Sequence, residues 1–307
     1  MKREKYKTIN WSKYNKSLVN RGDITLWIDE EVSKNWINEE KSGARGSSIL
    51  FTDIAIETCL KIKYVYKLTF RQTQGFMSSI IKLAKLNIVV PDYSTMSRRQ
   101  KDLNIKMRGS NKSISHIVID STGLKVYGEG EWKVRKHGVG KRRTWRKLHL
   151  AVDSDTFDIV SMDLTTNDVG DSEVLEGLMN DIEVNIESAS LDGAYDTKGN
   201  YNSLISRNIE PIIPPRENAI IWDKESEMHP RNRAVKRINE SDRKTWKIEA
   251  GYHRRSLAEV AMFRFKTILG GNLSSRSFEA QKQEAIIKSN IINKINTLGM
   301  PQTIKVT

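Results

Sequence analysis

Two aspartates that lie far apart in the sequence have surroundings suited to chemistry. Asp120 ends the apolar run "HIVID" and Asp192 ends "SASLD", so each is expected at the point where a buried strand stops. A carboxylate at the edge of a buried sheet costs free energy unless it has a partner, which favours a functional reason for its presence. Turn formation or capping is the alternative, and for either aspartate taken alone it is the favoured interpretation.

A third acid, Glu259, lies in "GYHRRSLAEVAMFRFK" (251–266), whose apolar spacing predicts an amphipathic α-helix. At about 100° per residue, one narrow polar stripe of this helix carries Tyr252, Arg255, Glu259 and Lys266. The opposite face is apolar, with Leu257, Ala261, Phe265 and Ile268 at its centre and Val260, Met262 and Leu269 on its flanks. A solvated face would be wide, so the narrow stripe indicates a polar cleft. The alternative is a structural ion pair between Glu259 and Arg255.

The three acids belong to a strongly basic chain. Its 307 residues include 51 Lys or Arg and 38 Asp or Glu, for a formal net charge of +13. Such an excess indicates an anionic polymer as partner, nucleic acid before others, with a general solubility effect as the alternative. Hard divalent cations prefer oxygen ligands, and a pair of them can promote phosphodiester chemistry. The five histidines form no two-histidine metal spacing, which argues against zinc.

The positive charge is clustered. Residues 133–147, "KVRKHGVGKRRTWRK", contain eight Lys or Arg and no acid, and a second basic group, "RNRAVKR", covers 231–237. The central "HGVG" predicts a hairpin arm with a cationic rim. Arg142 and Arg143 on this arm are therefore candidate DNA contacts.

The elements before these residues are predicted to be helical. Residues 51–68 have the apolar spacing of a helix with Thr52 as its cap, and "TFRQTQGFMSSIIKLAK" forms a second helix. A turn at Pro91-Asp92 then leads to a short helix capped by Ser94. This layout is typical of a helix-turn-helix, with Arg98 and Arg99 as candidate DNA contacts on the short helix, although any helical hairpin has a similar pattern. We therefore assign residues 1–112 to a helical DNA-binding region.

From His116 the pattern changes to strands. The run ending at Asp120 and the segments 147–153 and 157–165 alternate like three paired antiparallel strands. Helices and strands alternate after them, which predicts an α/β fold with a mixed sheet flanked by helices over residues 113–307. Residues 214–247 are rich in proline and charge and lack periodicity, so they are predicted to be an insertion before the last catalytic helix.

Cysteine content and hydropathy bear on the compartment. Cys59 is the only cysteine, which excludes an internal disulfide framework. The sequence has no signal-peptide pattern and no apolar stretch near the length of a membrane span. We therefore expect a cytoplasmic protein without membrane association.

In combination, these motifs resemble those of bacterial insertion-sequence DDE transposases. "YHRRSLAEVAMFRFK" matches the Y-x2-R-x3-E-x6-K signature of that family at all four positions. The segments "VIDSTGLKVYGEGEW", "WRKLHLAVD" and "DGAYDT" are similar to those around the family's two aspartates, and "RQTQGF" and "PDYSTMSRR" to its N-terminal part. The resemblance spans nearly the whole chain and departs at no catalytic position.

The resemblance implies an RNase H-like fold in which Asp120, Asp192 and Glu259 are catalytic and hold two Mg²⁺ ions, which Mn²⁺ can replace. It makes Tyr252, Arg255 and Lys266 positioning residues for DNA. The implied activity is cleavage of insertion-sequence ends and their joining to target DNA, by a homo-oligomer on double-stranded terminal inverted repeats at the bacterial nucleoid. A nuclease that only hydrolyses and a DNA-binding regulator without chemistry are the alternatives.

Overall fold

The computed structural model describes residues 5–28, 30–38, 50–107, 109, 113–126, 145–222 and 226–306. The chain divides into two compact units, Met1–Lys106 with Asn290–Thr307 and Met107–Ser289. The C-terminal segment thus groups with the N-terminal unit, whereas the sequence places it with the catalytic region. The predicted boundary after residue 112 stays a prediction. Most of the predicted basic arm, including Arg142 and Arg143, lies outside the described residues.

The described chain contains both helices and strands. The described helices are α1 Trp11–Asn20, α2 Glu30–Lys34, α3 Asp53–Val65, α4 Phe70–Leu83, α5 Tyr93–Arg99, α6 Asp171–Asn180, α7 Lys198–Ile205, α8 Pro230–Glu240, α9 Arg243–Glu249, α10 Ser256–Leu269 and α11 Phe278–Thr297. The described strands are β1 Lys5–Thr8, β2 Ser113–Val126, β3 Trp145–Asp153, β4 Ile159–Thr166, β5 Asn185–Ser190, β6 Glu210–Ile212, β7 Asn272–Leu273 and β8 Thr303–Val306.

The first unit is mainly helical, with β1 and β8 paired antiparallel. Helices α3, α4 and α5 all pack on one another. The predicted cap of α3 is confirmed, because the Thr52 hydroxyl accepts the Ala55 N–H at 3.2 Å. The predicted cap of α5 is wrong: Asp92, not Ser94, precedes the helix in an extended conformation, and its carboxylate accepts the Ser94 N–H at 2.8 Å. Residues 84–92 separate α4 from α5, more than the roughly 3–4 residues of a helix-turn-helix turn.

The second unit is built on a mixed sheet with the order β4-β3-β2-β5-β6. Strands β2, β3 and β4 are antiparallel neighbours, which confirms the prediction for these three segments. Strand β5 pairs with β2 in parallel, and β6 pairs with β5 in the same way. The short β7 pairs in parallel with the end of β2. The sheet thus has the mixed character that the sequence predicts.

Strand β2 presents different residues to the helices on its two faces. Ile117 and Ile119 join an apolar core with Leu175 and Leu178 of α6. Neighbouring side chains of a strand point to opposite faces, so Asp120, next to Ile119, faces away from that core. Helix α10 packs on β2 and β3 as well. One face of β2 therefore supplies apolar packing and the other supplies polar groups.

The prediction that a strand stops at Asp120 is wrong. Strand β2 continues to Val126, because its partner β3 remains paired with it as far as Lys125 and Trp145. Backbone pairing does not depend on the polarity of one side chain, so the carboxylate does not interrupt it. The strand that does stop here is β5, which ends at Ser190, shortly before Asp192.

The segment 214–247 is more regular than its sequence indicates, since it contains α8 and most of α9. The buried positions of α8 include Arg231 and Asn232, so its periodicity is not visible in apolar residues. Arg231 pairs with the buried Asp196 at 2.7 Å, and the Asp196 carboxylate also accepts the Arg216 N–H at 3.0 Å. These bonds tie the segment to the turn that follows Asp192. That the segment is an insertion stays a prediction.

Candidate active site

The predicted helix 251–266 is divided into two elements. Gly251, with φ +65°, follows α9 in a left-handed conformation, and a 3₁₀ turn covers Tyr252–Arg255 before α10 begins at Ser256. Glycine adopts this conformation readily, which allows the chain to change direction between α9 and the turn. The prediction of one continuous helix is therefore wrong. The local pair within it is confirmed, because Arg255 Nη2 lies 3.3 Å from Glu259 Oε1.

Arg255 also contacts Asp120, which is 135 residues away in the sequence. Its Nη1 donates to Asp120 Oδ2, while the Ser121 N–H donates to Asp120 Oδ1 at 2.9 Å. The Asp120 side chain is 15% exposed and that of Glu259 is 63% exposed. One guanidinium thus bridges a largely buried acid of β2 and an exposed acid of α10.

Asp192 lies beside these groups. The last pair between β2 and β5 is Val118 with Ser190, so Asp120 and Asp192 each lie two residues beyond it. The Asp192 carboxylate accepts the Ala194 N–H at 2.8 Å and caps a short 3₁₀ turn, as the alternative interpretation has it. Capping does not separate it from the other acids. Burial raises the pKa of Asp120, Arg255 opposes the rise, and the charge of Asp192 adds to it.

Lys266 reaches the same face of β2. Its ammonium donates to the Thr122 hydroxyl at 2.6 Å, and Thr122 lies two residues after Asp120, hence on the same side of the strand. Burial lowers the pKa of Lys266. Among the residues that the structure describes, no carboxylate lies within ion-pair distance of Lys266. Its charge is therefore available to an anionic ligand.

Tyr252 is buried rather than open to a cleft, with 8% of its surface exposed. Its ring centroid lies 6.1 Å from that of Trp246, and the Lys247 ammonium is 5.3 Å from the ring. Burial raises the pKa of its hydroxyl, Arg255 lowers it, and the charges of all three acids raise it further. Tyr252 thus lies within the electrostatic reach of Arg255 and of all three acids, and its contact with DNA stays a prediction.

The sequence did not single out Thr122 or Phe263. Thr122 lies two residues after Asp120 in the same strand, and this spacing places its side chain on the same face as Asp120, toward Lys266. Phe263 is 68% exposed and Val260 is 40% exposed, so the prediction of a buried flank at Val260 is wrong. Phe263 lies four residues after Glu259, about 40° from it around the helix. The exposed face of α10 therefore carries apolar as well as polar side chains.

The sequence of this chain matches a family of known proteins. A family profile described as "Transposase DDE domain" matches residues 111–293, and a second profile with the same description matches residues 19–129. The chain belongs to the DDE transposase family. Members of this family cleave and transfer DNA in the transposition of mobile elements, and they generally use divalent metal ions.

A solved transposase is also similar. The cryo-EM structure of the piggyBac transposase synaptic complex with hairpin DNA aligns with 95% of this chain and 78% of that chain, at 11% identity and a TM-score of 0.38. The assignment of this chain to the transposase family rests on the two family profiles.

The three acids are of the right residue type to bind a metal ion, but their side chains are not spaced to hold one in this structure. Three carboxylates are the oxygen donors that hard divalent cations prefer. Within the described part of the transposase, however, no three acidic, histidine or cysteine side chains are spaced to hold a metal ion. Oxygens of both Asp120 and Glu259 are in contact with the Arg255 guanidinium.

The predicted DNA contacts of the first unit differ from each other. Arg99 of the transposase pairs with Asp53 at 2.5 Å and donates to the Phe51 carbonyl at 2.9 Å, so it is engaged in the unit's own structure. Arg98 is exposed on the same helix. The DNA-binding roles of both arginines stay predictions. In the described ranges, no helix is long and apolar enough to span a bilayer.

Proposed function

We propose that this protein is the transposase of a bacterial insertion sequence, which cleaves the ends of its element and joins them to target DNA. Asp120, Asp192 and Glu259 are its catalytic acids, on an RNase H-like sheet. The observation that supports this most is the bridge made by Arg255, which brings Asp120 and Glu259 to one guanidinium beside Asp192. The mixed sheet, with helices packed on it, is compatible with this fold.

The three carboxylates are the groups that would hold metal ions in this proposal. Two Mg²⁺ ions, or Mn²⁺ in their place, would supply positive charge to the attacked phosphate and to the leaving oxygen. Burial disfavours the ionised form of Asp120. A cation bound at this site would therefore stabilise the ionised carboxylate more strongly than a cation at the surface would. Arg255 and Lys266 are cations on the same face and would hold neighbouring phosphates.

The reaction proceeds as two transfers at phosphorus. Water attacks the scissile phosphate, and the bond to the 3′ oxygen breaks. The freed 3′ hydroxyl then attacks a phosphate of the target, whose bond to its own 3′ oxygen breaks and leaves a 3′ hydroxyl on the target strand. Neither transfer needs a covalent link to the protein. The contribution of the chain is to hold both DNA segments in line, and well-oriented reactants gain much of the rate from such positioning alone.

The proposal includes the partners and the compartment. Double-stranded DNA, as terminal inverted repeats and as target, suits a net charge of +13 and the basic residues 133–147. Two element ends must be held together before they are joined, which favours a homo-oligomer on the DNA. Such a protein acts in the bacterial cytoplasm, at the nucleoid.

The test is a cleavage and joining assay with the DNA that flanks this gene. With Mg²⁺, labelled end DNA should be cut at the element boundary and should appear in longer strand-transfer products. DNA of matched length without the ends is the control and should not be cut at a defined site. Ca²⁺ should support binding but little cleavage, because its larger and looser coordination suits the reaction poorly.

The two alternatives give different results in the same assay. A nuclease that only hydrolyses would release cut ends without joined products. A regulator without chemistry would bind the ends and leave them intact in Mg²⁺ and Mn²⁺ alike. Either result, obtained with protein that binds its ends, would contradict the proposed function.

A further inference from the structure

We propose that Arg255 is the resident counter-ion of the catalytic acids and that it must leave Asp120 before a divalent metal ion binds there. DNA binding then controls metal binding. The inference rests on the proposed function, because it takes Asp120 and Glu259 as metal ligands. It goes beyond that function by giving Arg255 a role in the protein that holds no DNA.

The geometry of the bridge carries the first step. Both oxygens of Asp120 are in use, Oδ2 by Arg255 and Oδ1 by the Ser121 N–H. The second terminal nitrogen of Arg255 reaches Glu259. A guanidinium stays protonated in proteins and has no acceptor atom, so it cannot share a carboxylate oxygen with a metal ion without repulsion. Arg255 and a divalent ion therefore compete for the same two acids.

The burial of Asp120 carries the second step. Its side chain is only 15% exposed, and that of Arg255 is 22% exposed. An ionised carboxylate held this far from water requires a cationic partner. When one cation is removed, the carboxylate strongly favours the binding of a different cation. Arg255 meets this requirement in the free protein. Once Arg255 leaves, a metal ion becomes the favoured partner of Asp120.

A DNA phosphate is the group that can draw Arg255 away. The planar guanidinium binds phosphate with two parallel hydrogen bonds, as it binds carboxylates. Lys266 lies on the same face of β2 without an acidic partner among the described residues, so a DNA backbone that enters this face meets a second cation. The phosphate thus replaces Asp120 as the partner of Arg255. By reciprocity, metal ions must in turn strengthen DNA binding.

Arg254 provides a matched control for this idea. It carries the same charge one residue earlier, but it pairs with Asp155 at 3.2 Å, and both side chains are about half exposed at 46% and 54%. Its removal changes the net charge by the same amount as removal of Arg255. Of these two arginines, only Arg255 forms an ion pair with proposed metal ligands in the described structure.

The experiment is a titration of the full-length protein with Mn²⁺ at pH 8. Calorimetry, or the electron spin resonance signal of free Mn²⁺, measures the binding. Without DNA, Arg255→Gln should bind Mn²⁺ about tenfold more tightly than the wild type, or more, because the site is no longer occupied by the guanidinium. Arg254→Gln should stay within about twofold of the wild type, as expected for an exposed pair. End DNA should strengthen Mn²⁺ binding by the wild type and have little effect on Arg255→Gln. Equal Mn²⁺ affinities of the two variants without DNA would overturn the inference.

Asp120→Asn separates this inference from the proposed function. If Asp120→Asn binds Mn²⁺ as well as the wild type does, Asp120 is no metal ligand and the proposed site itself fails. If Asp120→Asn loses binding while Arg255→Gln gains none, only the role of Arg255 fails. Thermal melting checks that each variant is folded. Should Arg255→Gln be unfolded, Arg255→Lys takes its place. The shorter lysine has a single ammonium that cannot span both acids, so this variant should also bind Mn²⁺ more tightly than the wild type.

Discussion

The second unit contains two clusters of acidic and basic side chains that differ in how completely they are hydrogen-bonded. Glu284 of α11 is fully buried, and its carboxylate accepts the backbone N–H and the hydroxyl of both Ser274 and Ser275. Lys288 lies 2.8 Å from this carboxylate and also donates to the Asn272 carbonyl at 2.9 Å. Within the described ranges, the bridge of Arg255 to Asp120 and Glu259 receives fewer hydrogen bonds, with the Ser121 N–H donating to Asp120, and one of its acids is 63% exposed.

The difference teaches that residue type alone does not separate a structural cluster from a functional one. A buried charge is stable when its hydrogen bonds are complete, and Glu284 meets that condition through the chain itself. Its cluster fixes the loop between β7 and α11. Asp120 and Glu259 depend on one arginine, which other ligands can replace. We therefore assign stability to the first cluster and DNA chemistry to the second.

The largest expected effect is on cleavage. Asp120→Asn should lower end cleavage by about 10³-fold or more, because it removes several kcal/mol of charge stabilisation. End binding should remain, as measured by a gel-shift assay. Burial raises the pKa of Asp120 above its unfolded-state value, so its ionised form costs stability at neutral pH, and this cost is relieved as the pH falls through the folded-state pKa. The same test applies to Asp192→Asn and Glu259→Gln, and normal cleavage by any of the three would remove that residue from the catalytic set.

The opposite result is expected for the buried cluster. Glu284→Ala leaves Lys288 buried without its carboxylate partner, and breaking such a pair costs about 3–5 kcal/mol in the free energy of unfolding. Urea unfolding measures this loss. At low temperature the folded fraction should cleave DNA at the wild-type rate. A stable Glu284→Ala protein with lost cleavage would reverse the assignment of the two clusters.

Lys266→Ala should have a moderate effect on DNA binding. The loss of one charge-assisted contact weakens affinity by about tenfold. The slope of log affinity against log salt should fall by about 0.9, as for one phosphate contact. Lys282, which pairs with Asp163 at 3.3 Å on the surface, is the control, and Lys282→Ala should change neither quantity appreciably. An unchanged salt slope for Lys266→Ala would exclude a phosphate contact.

The smallest effects are expected in the first unit, where two adjacent arginines of α5 should differ. Arg98→Ala should reduce discrimination between end DNA and random DNA by about fivefold, at the low end for a base contact. Arg99→Ala should mainly lower the melting temperature, because Arg99 pairs with Asp53 and the Phe51 carbonyl. Equal weakening on all DNA by Arg98→Ala would make α5 a backbone clamp instead.

Local signals were enough for part of the fold. The cap at Thr52 and the three antiparallel strands follow from contacts between near neighbours or from simple alternation. Helix α8 was missed because Arg231 is a buried position whose partner, Asp196, lies 35 residues away. The division at Gly251 was missed because it depends on one left-handed residue within an apolar pattern that otherwise continues.

The candidate site shows the same limit. The pair of Arg255 with Glu259 spans one helical turn, so the sequence predicts it. The contact of Arg255 with Asp120 joins residues 135 positions apart, and only the packing of the 3₁₀ turn and α10 on β2 creates it. The sequence singled out the residues of this bridge as site candidates, whereas the proposed competition between arginine and metal rests on a contact that only the fold creates.

A structure of the protein with its end DNA and Ca²⁺ tests the account most directly. Ca²⁺ should permit binding without much chemistry, so the complex can be held before cleavage. We predict that Arg255 contacts a DNA phosphate and that Asp120, Asp192 and Glu259 coordinate the ion, while the Glu284–Lys288 pair stays unchanged. A complex in which Arg255 remains on Asp120 with end DNA bound and the ion lies elsewhere would contradict the account.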